Sequence, residues 1–156
     1  MDTSTVGKSI PQVTSREKVL GRAVYAGDIK LAGMLHAKVL RSPYAYARIV
    51  RIDTALALAL PGVHAVVTGE DTPLRMWGTH RKEQRILAAG SVRFAGEEVA
   101  AVVAVDEDTA RDALDLIHVE YEQLEPVLDP ESALAAGAEE VHAGTGNLAE
   151  EIRIER

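Results

Sequence analysis

The residues of this chain with chemistry to offer are five histidines, two acidic clusters, one serine beside a proline, and a string of arginines and tyrosines. His36, His64, His80, His118 and His142 are scattered, without the short spacing that puts two ligands on one helix face or in one loop. They read as solvent-facing strand and loop residues, because metal sites demand a specific ligand geometry. Glu97 and Glu98 are adjacent. Neighbours on a strand point to opposite faces, so these two read as charges at a strand entry rather than an acid and base sharing a substrate. Asp106, Glu107 and Asp108 have the composition of a divalent-ion cluster, but they stand where a helix begins, and capping with dipole complementarity accounts for all three. Ser42 has no nearby His and Asp to activate it as a nucleophile. Gly7, Lys8 and Ser9 are similar to the end of a phosphate-binding loop, yet that pattern requires a glycine where Asp2 stands and a preceding strand that is missing. Tyr44 and Tyr46, flanked by Arg41 and Arg48, have the rings to stack on an aromatic ligand, and such tyrosines commonly supply interface area. Arg41, Tyr44, Tyr46 and the single tryptophan, Trp77, are therefore the candidates for a partner interface or channel lining. No residue is assigned to catalysis, to a metal or to a cofactor, and no direct small-molecule site is identified.

Composition narrows the classes further. At 156 residues the chain has room for one ordinary domain with a tail. A net charge of -7 argues against a nucleic-acid surface, which needs clustered Lys and Arg. With no cysteine there is no disulfide, thiolate metal site, iron-sulfur ligand or thiol nucleophile. No apolar segment follows a basic N-terminal region and no apolar run has membrane-spanning length. The expectation is a cytoplasmic protein with neither a nucleic-acid nor a membrane partner.

The elements that position these residues are legible from periodicity. Val99 to Val105 is an unbroken run of seven apolar residues, which suits a strand buried on both faces. Asp106 then caps a helix. Ala110, Ala113, Leu114 and Ile117 fall on one face of it, and Asp108, Arg111, Asp112 and Asp115 on the other. His118, Glu120 and Glu122 then alternate with Val119 and Tyr121, the period of a strand with one wet face. The second half is β-α-β, over about Gly96 to Glu122.

Upstream, residues 1–15 form an extended arm and residues 16–28 a turn with an irregular strand. Leu35, Ala37 and Val39 alternate with His36 and Lys38, predicting a strand with the apolar set on the core. Pro43 ends it. A strand over Ala47 to Ile52, a short helix capped at Asp53 or Thr54 and stopped by Pro61-Gly62, and a strand over Val63 to Thr68 come next. From about Gly69 to Gly90 the pattern dissolves into a long irregular loop, a length that points to binding or covering something. Asp129 to Leu134 suggests one helical turn, and the chain is loose from Gly137. Ile152 and Ile154 alternate with Arg153 and Glu155 like the start of a strand that lacks a neighbour.

Several strings, in order, resemble the xanthine dehydrogenase and aldehyde oxidase group of molybdenum hydroxylases. Glu17 to Tyr25 with Asp28 is similar to the family's opening Lys-Val-Thr-Gly segment, with Leu20 at the threonine position. Gly33-Met34-Leu35 also fits. Arg41 to Ile49 resembles the family's Arg-Ser-Pro-His-Ala-His-Ala-Arg-Ile, with Tyr44 and Tyr46 at the two histidine positions. Leu60 to Val63 and Val92 to Ala100 complete the set.

The resemblance implies an α+β fold, the α/β hammerhead, with a small mixed sheet that holds the β-α-β unit; in that family it precedes much larger molybdopterin-binding domains. It implies a hammerhead domain at 16–136, with 137–156 leading toward a missing or separate cofactor domain. It further implies a part of a molybdenum hydroxylase assembly that is inactive alone and packs as a hetero-oligomer on a molybdopterin-binding subunit. That assembly would support water-derived hydroxylation or oxidation of a heterocyclic, aldehyde or aromatic substrate. The molybdenum cofactor would sit on the partner, with iron-sulfur clusters and often flavin, as FAD, on other chains. The alternative is a stand-alone interaction or scaffold module, or a gene fragment, that keeps the fold without the activity.

Overall fold

The computed structural model describes residues 5–73, 75–79 and 82–155. Residues 1–4 of the expected arm, Leu74, His80 and Arg81 of the long loop, and Arg156 lie outside the described residues. The chain divides into two units, Met1–Met34 and Leu35–Arg156. In the first, a short helix α1 (Ser15–Val19) and a 3-10 turn (Ala26–Asp28) stand where the sequence suggested a turn and irregular strand. Glycines interrupt the apolar residues too often for a strand to pair. The 3-10 turn is closed by the Asp28 carboxylate, which accepts the Tyr25 amide at 2.9 Å.

The second unit runs β1 (His36–Arg41), β2 (Ala47–Asp53), α2 (Ala55–Ala59), β3 (Val63–Thr68), β4 (Ser91–Val92), β5 (Glu98–Ala104), α3 (Glu107–Asp115), β6 (His118–Gln123) and α4 (Pro130–Ala133). The α+β hammerhead expectation holds. Its strands are divided between two antiparallel three-stranded sheets, β1-β5-β3 and β4-β2-β6, rather than joined in one mixed sheet. The β-α-β order is present, but β5 and β6 enter different sheets, because each finds its partner far away in sequence.

Three bulges reconcile the sequence with alternation. Leu40 pairs with Ala100 and Arg41 with Glu98, which leaves Val99 extra on β5, so Val99 and Ala100 are both buried. His64 is extra on β3 and Val50 on β2. The second lets Ile49 and Ile52 both pack inward although they are three apart.

Helices α2 and α3 cover one face of the β1-β5-β3 sheet, where Ala57, Ala113 and Ile117 meet Ala100 and Val102. A second cluster gathers Ala47, Ala88, Val92 and Val99. Ile52 and Val119 pack against both. The α3 boundary follows its cap: Asp106 Oδ1 accepts the Thr109 amide at 2.7 Å. Asp129 does the same for Ser132 at α4, at 2.8 Å. Asp53 Oδ1 accepts the Ala55 amide at 3.1 Å, ahead of α2.

One strand is turned over relative to expectation. In β1, His36, Lys38 and Leu40 are the more covered set, and Ala37, Val39 and Arg41 are exposed. The reason is α3, whose acidic first turn lies over that face and holds Lys38, while the lysine stem covers apolar surface.

Candidate functional site

Three of the four expected interface residues, Arg41, Tyr44 and Tyr46, lie on and beside a tight double turn. The Ser42 amide donates to Glu97 O at 2.9 Å, and the Gly96 amide donates to Ser42 O at 2.8 Å. Ser42 is 4% exposed, and its Oγ accepts the Tyr44 amide at 3.0 Å. It is thus a buried turn residue, with its hydroxyl engaged by the backbone of Tyr44. Arg41 Nη1 donates to Glu98 Oε1 and to Gly96 O, each at 2.7 Å. The Glu97 carboxylate turns the other way, accepting the Arg93 amide. The two adjacent glutamates therefore serve different partners.

Tyr44 packs inward against Tyr121, with ring centroids 5.2 Å apart and planes at 60°, a tilted arrangement favoured by ring quadrupoles. Burial pushes the Tyr121 phenol above its ordinary range, and a hydrogen bond with Ser42 partly opposes that shift. Tyr46 lines a groove of about 290 Å³ with Arg93, Phe94, Val127, Leu128 and Val141. Trp77 is elsewhere. It bridges Gln84 through two backbone bonds, Trp77 N to Gln84 O at 2.7 Å and Gln84 N to Trp77 O at 2.9 Å. It carries the Arg75 guanidinium 5.0 Å from its ring centroid. The four candidates are thus not one site: Arg41 is at a sheet edge, Tyr44 in the core, Tyr46 in a groove and Trp77 on the long loop.

Periodicity gave no sign of the groove wall. The segment after Gly137 forms neither helix nor strand, yet it is tied down by Asn147, whose Nδ2 donates to Ala133 O and Glu139 O at 3.0 and 2.9 Å. Its Oδ1 accepts the Val141 amide at 3.0 Å. Arg93 Nε holds Val141 O at 3.1 Å. A lone asparagine among loop residues is the only sequence signal for this clamp. Residues 151–155 form no strand, and Ile152 and Ile154 are exposed. The end of the long loop also departs from expectation. Leu87 and Ala88 are buried, and a Cβ at Gly69 would lie 2.2 Å from Ala88 O, so the chain passes itself too closely there for any side chain.

Among the described residues no group of three or more His, Cys, Asp or Glu could hold a metal. His36 faces Glu107 at 3.8 Å, a carboxylate that also holds Lys38, and His142 faces Glu83 at 3.9 Å. Among the described residues no helix is long and apolar enough to cross a membrane.

The family model for the aldehyde oxidase and xanthine dehydrogenase a/b hammerhead domain matches residues 20–125. A probable xanthine dehydrogenase subunit of Bacillus subtilis (strain 168) is 44% identical over 134 residues, covering 85% of this chain and 18% of the relative. The solved quinoline 2-oxidoreductase of Pseudomonas putida 86 is 43% identical with a TM-score of 0.77, covering 86% of this chain and 18% of that one. A reconstituted CO dehydrogenase of Oligotropha carboxidovorans is 40% identical with a TM-score of 0.80, covering 85% and 17%. This chain thus spans less than a fifth of the length of these relatives.

Proposed function

This chain belongs to the aldehyde oxidase and xanthine dehydrogenase a/b hammerhead family, and we propose that it is the hammerhead part of a cytoplasmic molybdenum hydroxylase. In this reading it packs on the molybdopterin-binding polypeptide and shapes the path by which substrate arrives. The supporting observation is the coincidence of the family match over residues 20–125 with a fold superposing on a CO dehydrogenase at a TM-score of 0.80. Residues 16–136 make up the module, and 137–156 lead toward the cofactor-binding part.

The donor set of this chain does not suit a metal or a cluster: it has no cysteine and, among the described residues, no grouped ligands. By the family reading, and not from that donor set, we assign the molybdenum cofactor to the molybdopterin-binding partner, with iron-sulfur clusters and flavin on other chains. When bound there, the cofactor supplies two-electron oxidation of a carbon centre with water as the oxygen source. The residues of this chain contribute shape, through the Tyr46 and Phe94 groove and the Arg41 turn, and no proton transfer.

Heterocyclic, aldehyde and aromatic substrates are the classes in view. The test is turnover of a panel of N-heterocycles, aldehydes and aromatic acids by the native assembly, with an electron-accepting dye and isotopically labelled water. Label is expected in the product of at least one class. Label arriving from dioxygen instead would overturn the proposal. No observation favours the stand-alone scaffold alternative.

A further inference from the structure

We propose that the open face of the β1-β5-β3 sheet is the surface on which the cofactor-binding part of the subunit docks, an inference that rests on the family reading above. Two rows of side chains cross this face. Val39, Ala101 and Val67 form one, in register across all three strands, and Ala37, Val103 and Ala65 form the other. All six are alanine or valine. The helices that contact this sheet, α2 and α3, lie on its other face. Val39 is left 38% exposed, and Ala37 is exposed beside it.

The second sheet supplies an internal comparison. On its outer face Arg48 stands opposite Glu122, with Nη1 and Oε2 3.0 Å apart, and Arg51 pairs with Asp53 at 2.8 Å. That is a face composed for water. The six residues of the first sheet offer water nothing. The apolar run from Val99 to Val105 reads as a strand dry on both sides, whereas on this face Ala101 and Val103, like Ala65 and Val67 beside them, are only half-buried. At the end of the rows Arg41 and Glu98 pair at 2.7 Å, giving the apolar centre and polar rim common to interfaces.

Area decides the occupant. Three strands about 4.8 Å apart, over about five residues each, present on the order of 250 Å². A stable pair of like copies needs about 800 Å² from each partner. A second copy held by this face alone is therefore excluded, and the occupant must be anchored by further contacts of its own. In the relatives, the remaining four-fifths or more of the same subunit meets that condition, since this domain covers 18% and 17% of them. Small flat side chains also admit close backbone approach, which suits an uncharged aliphatic helix or strand of that part.

The experiment places a photo-crosslinking amino acid at Val67, or at Arg48 as the control, in the native polypeptide carrying this sequence. Crosslinks are mapped by mass spectrometry alongside the molybdenum content of the preparation. The expected result is Val67 crosslinking to molybdopterin-binding sequence, Arg48 not doing so, and Val39→Lys lowering that crosslink at least tenfold. Crosslinks only between copies of this domain, or none although molybdopterin-binding sequence is present with molybdenum, would overturn the docking face and leave the family reading intact. Absence of both molybdenum and that sequence would overturn both.

Discussion

Lys38 and Glu107 meet at 2.7 Å, strand β1 to the first turn of α3. This hydrogen bond, followed by the lysine charge, holds the Glu107 carboxyl below the usual carboxylate range. Replacing Lys38 by Met removes both causes, so Glu107 should titrate at a higher pH, as followed by its side-chain carbon resonance. An unchanged titration would show that the bond does not persist in solution.

Acid sensitivity follows from the same kind of group. Asp71, Asp106 and Asp129 are each held low, chiefly by the backbone amide of Thr68, the backbone amide of Thr109 and the side chain of Ser132. A carboxyl whose folded pKa is depressed adds stability above its unfolded pKa and loses it as pH falls through the folded one. Thermal midpoints should therefore be flat above about pH 5 and fall below about pH 4. Asp106→Asn should flatten that decline, measured by circular dichroism across pH.

Gly69 and Ala88 should be intolerant of change. Gly69→Ala sets a Cβ 2.2 Å from a backbone oxygen, and the neighbour is main chain rather than a yielding side chain. The expected cost is about 2 kcal/mol or more, read from urea midpoints, with Gly90→Ala as the contrasting case. That glycine has open space around it but a φ of +78°, so its cost is backbone strain alone.

The two faces of the β1-β5-β3 sheet should respond differently. Val102 is fully buried, and Val102→Ala should cost about 2 kcal/mol. Val39→Ala on the open face should stay within about 0.5 kcal/mol. Equal losses would mean that the outer face is covered within the chain itself.

The sequence made some of this plain and hid the rest. Helix α3 was legible because Asp106 and the spacing of Ala110, Ala113 and Ile117 agree, and β3 because its bounds are marked by Gly62 and Gly69. The orientation of β1 was not. Polarity set Ala37 and Val39 inward, whereas Lys38 is drawn to α3 and the small residues face outward. The bulges at Val50, His64 and Val99 and the split into two sheets depend on pairings between distant segments, which local periodicity does not encode. The candidate residues were found singly, but their scatter over edge, core, groove and loop was not visible, because Tyr44 and Tyr46, two apart, are set to different tasks by the Ser42 turn.

A place in a working molybdenum hydroxylase stands or falls on the molybdenum and pterin content of the native polypeptide carrying this sequence. It is to be purified from its own host, with every copurifying chain identified. The expected result is molybdenum stoichiometric with this domain and a molybdopterin-binding sequence in the same particle. A folded, homogeneous preparation with neither would contradict that place.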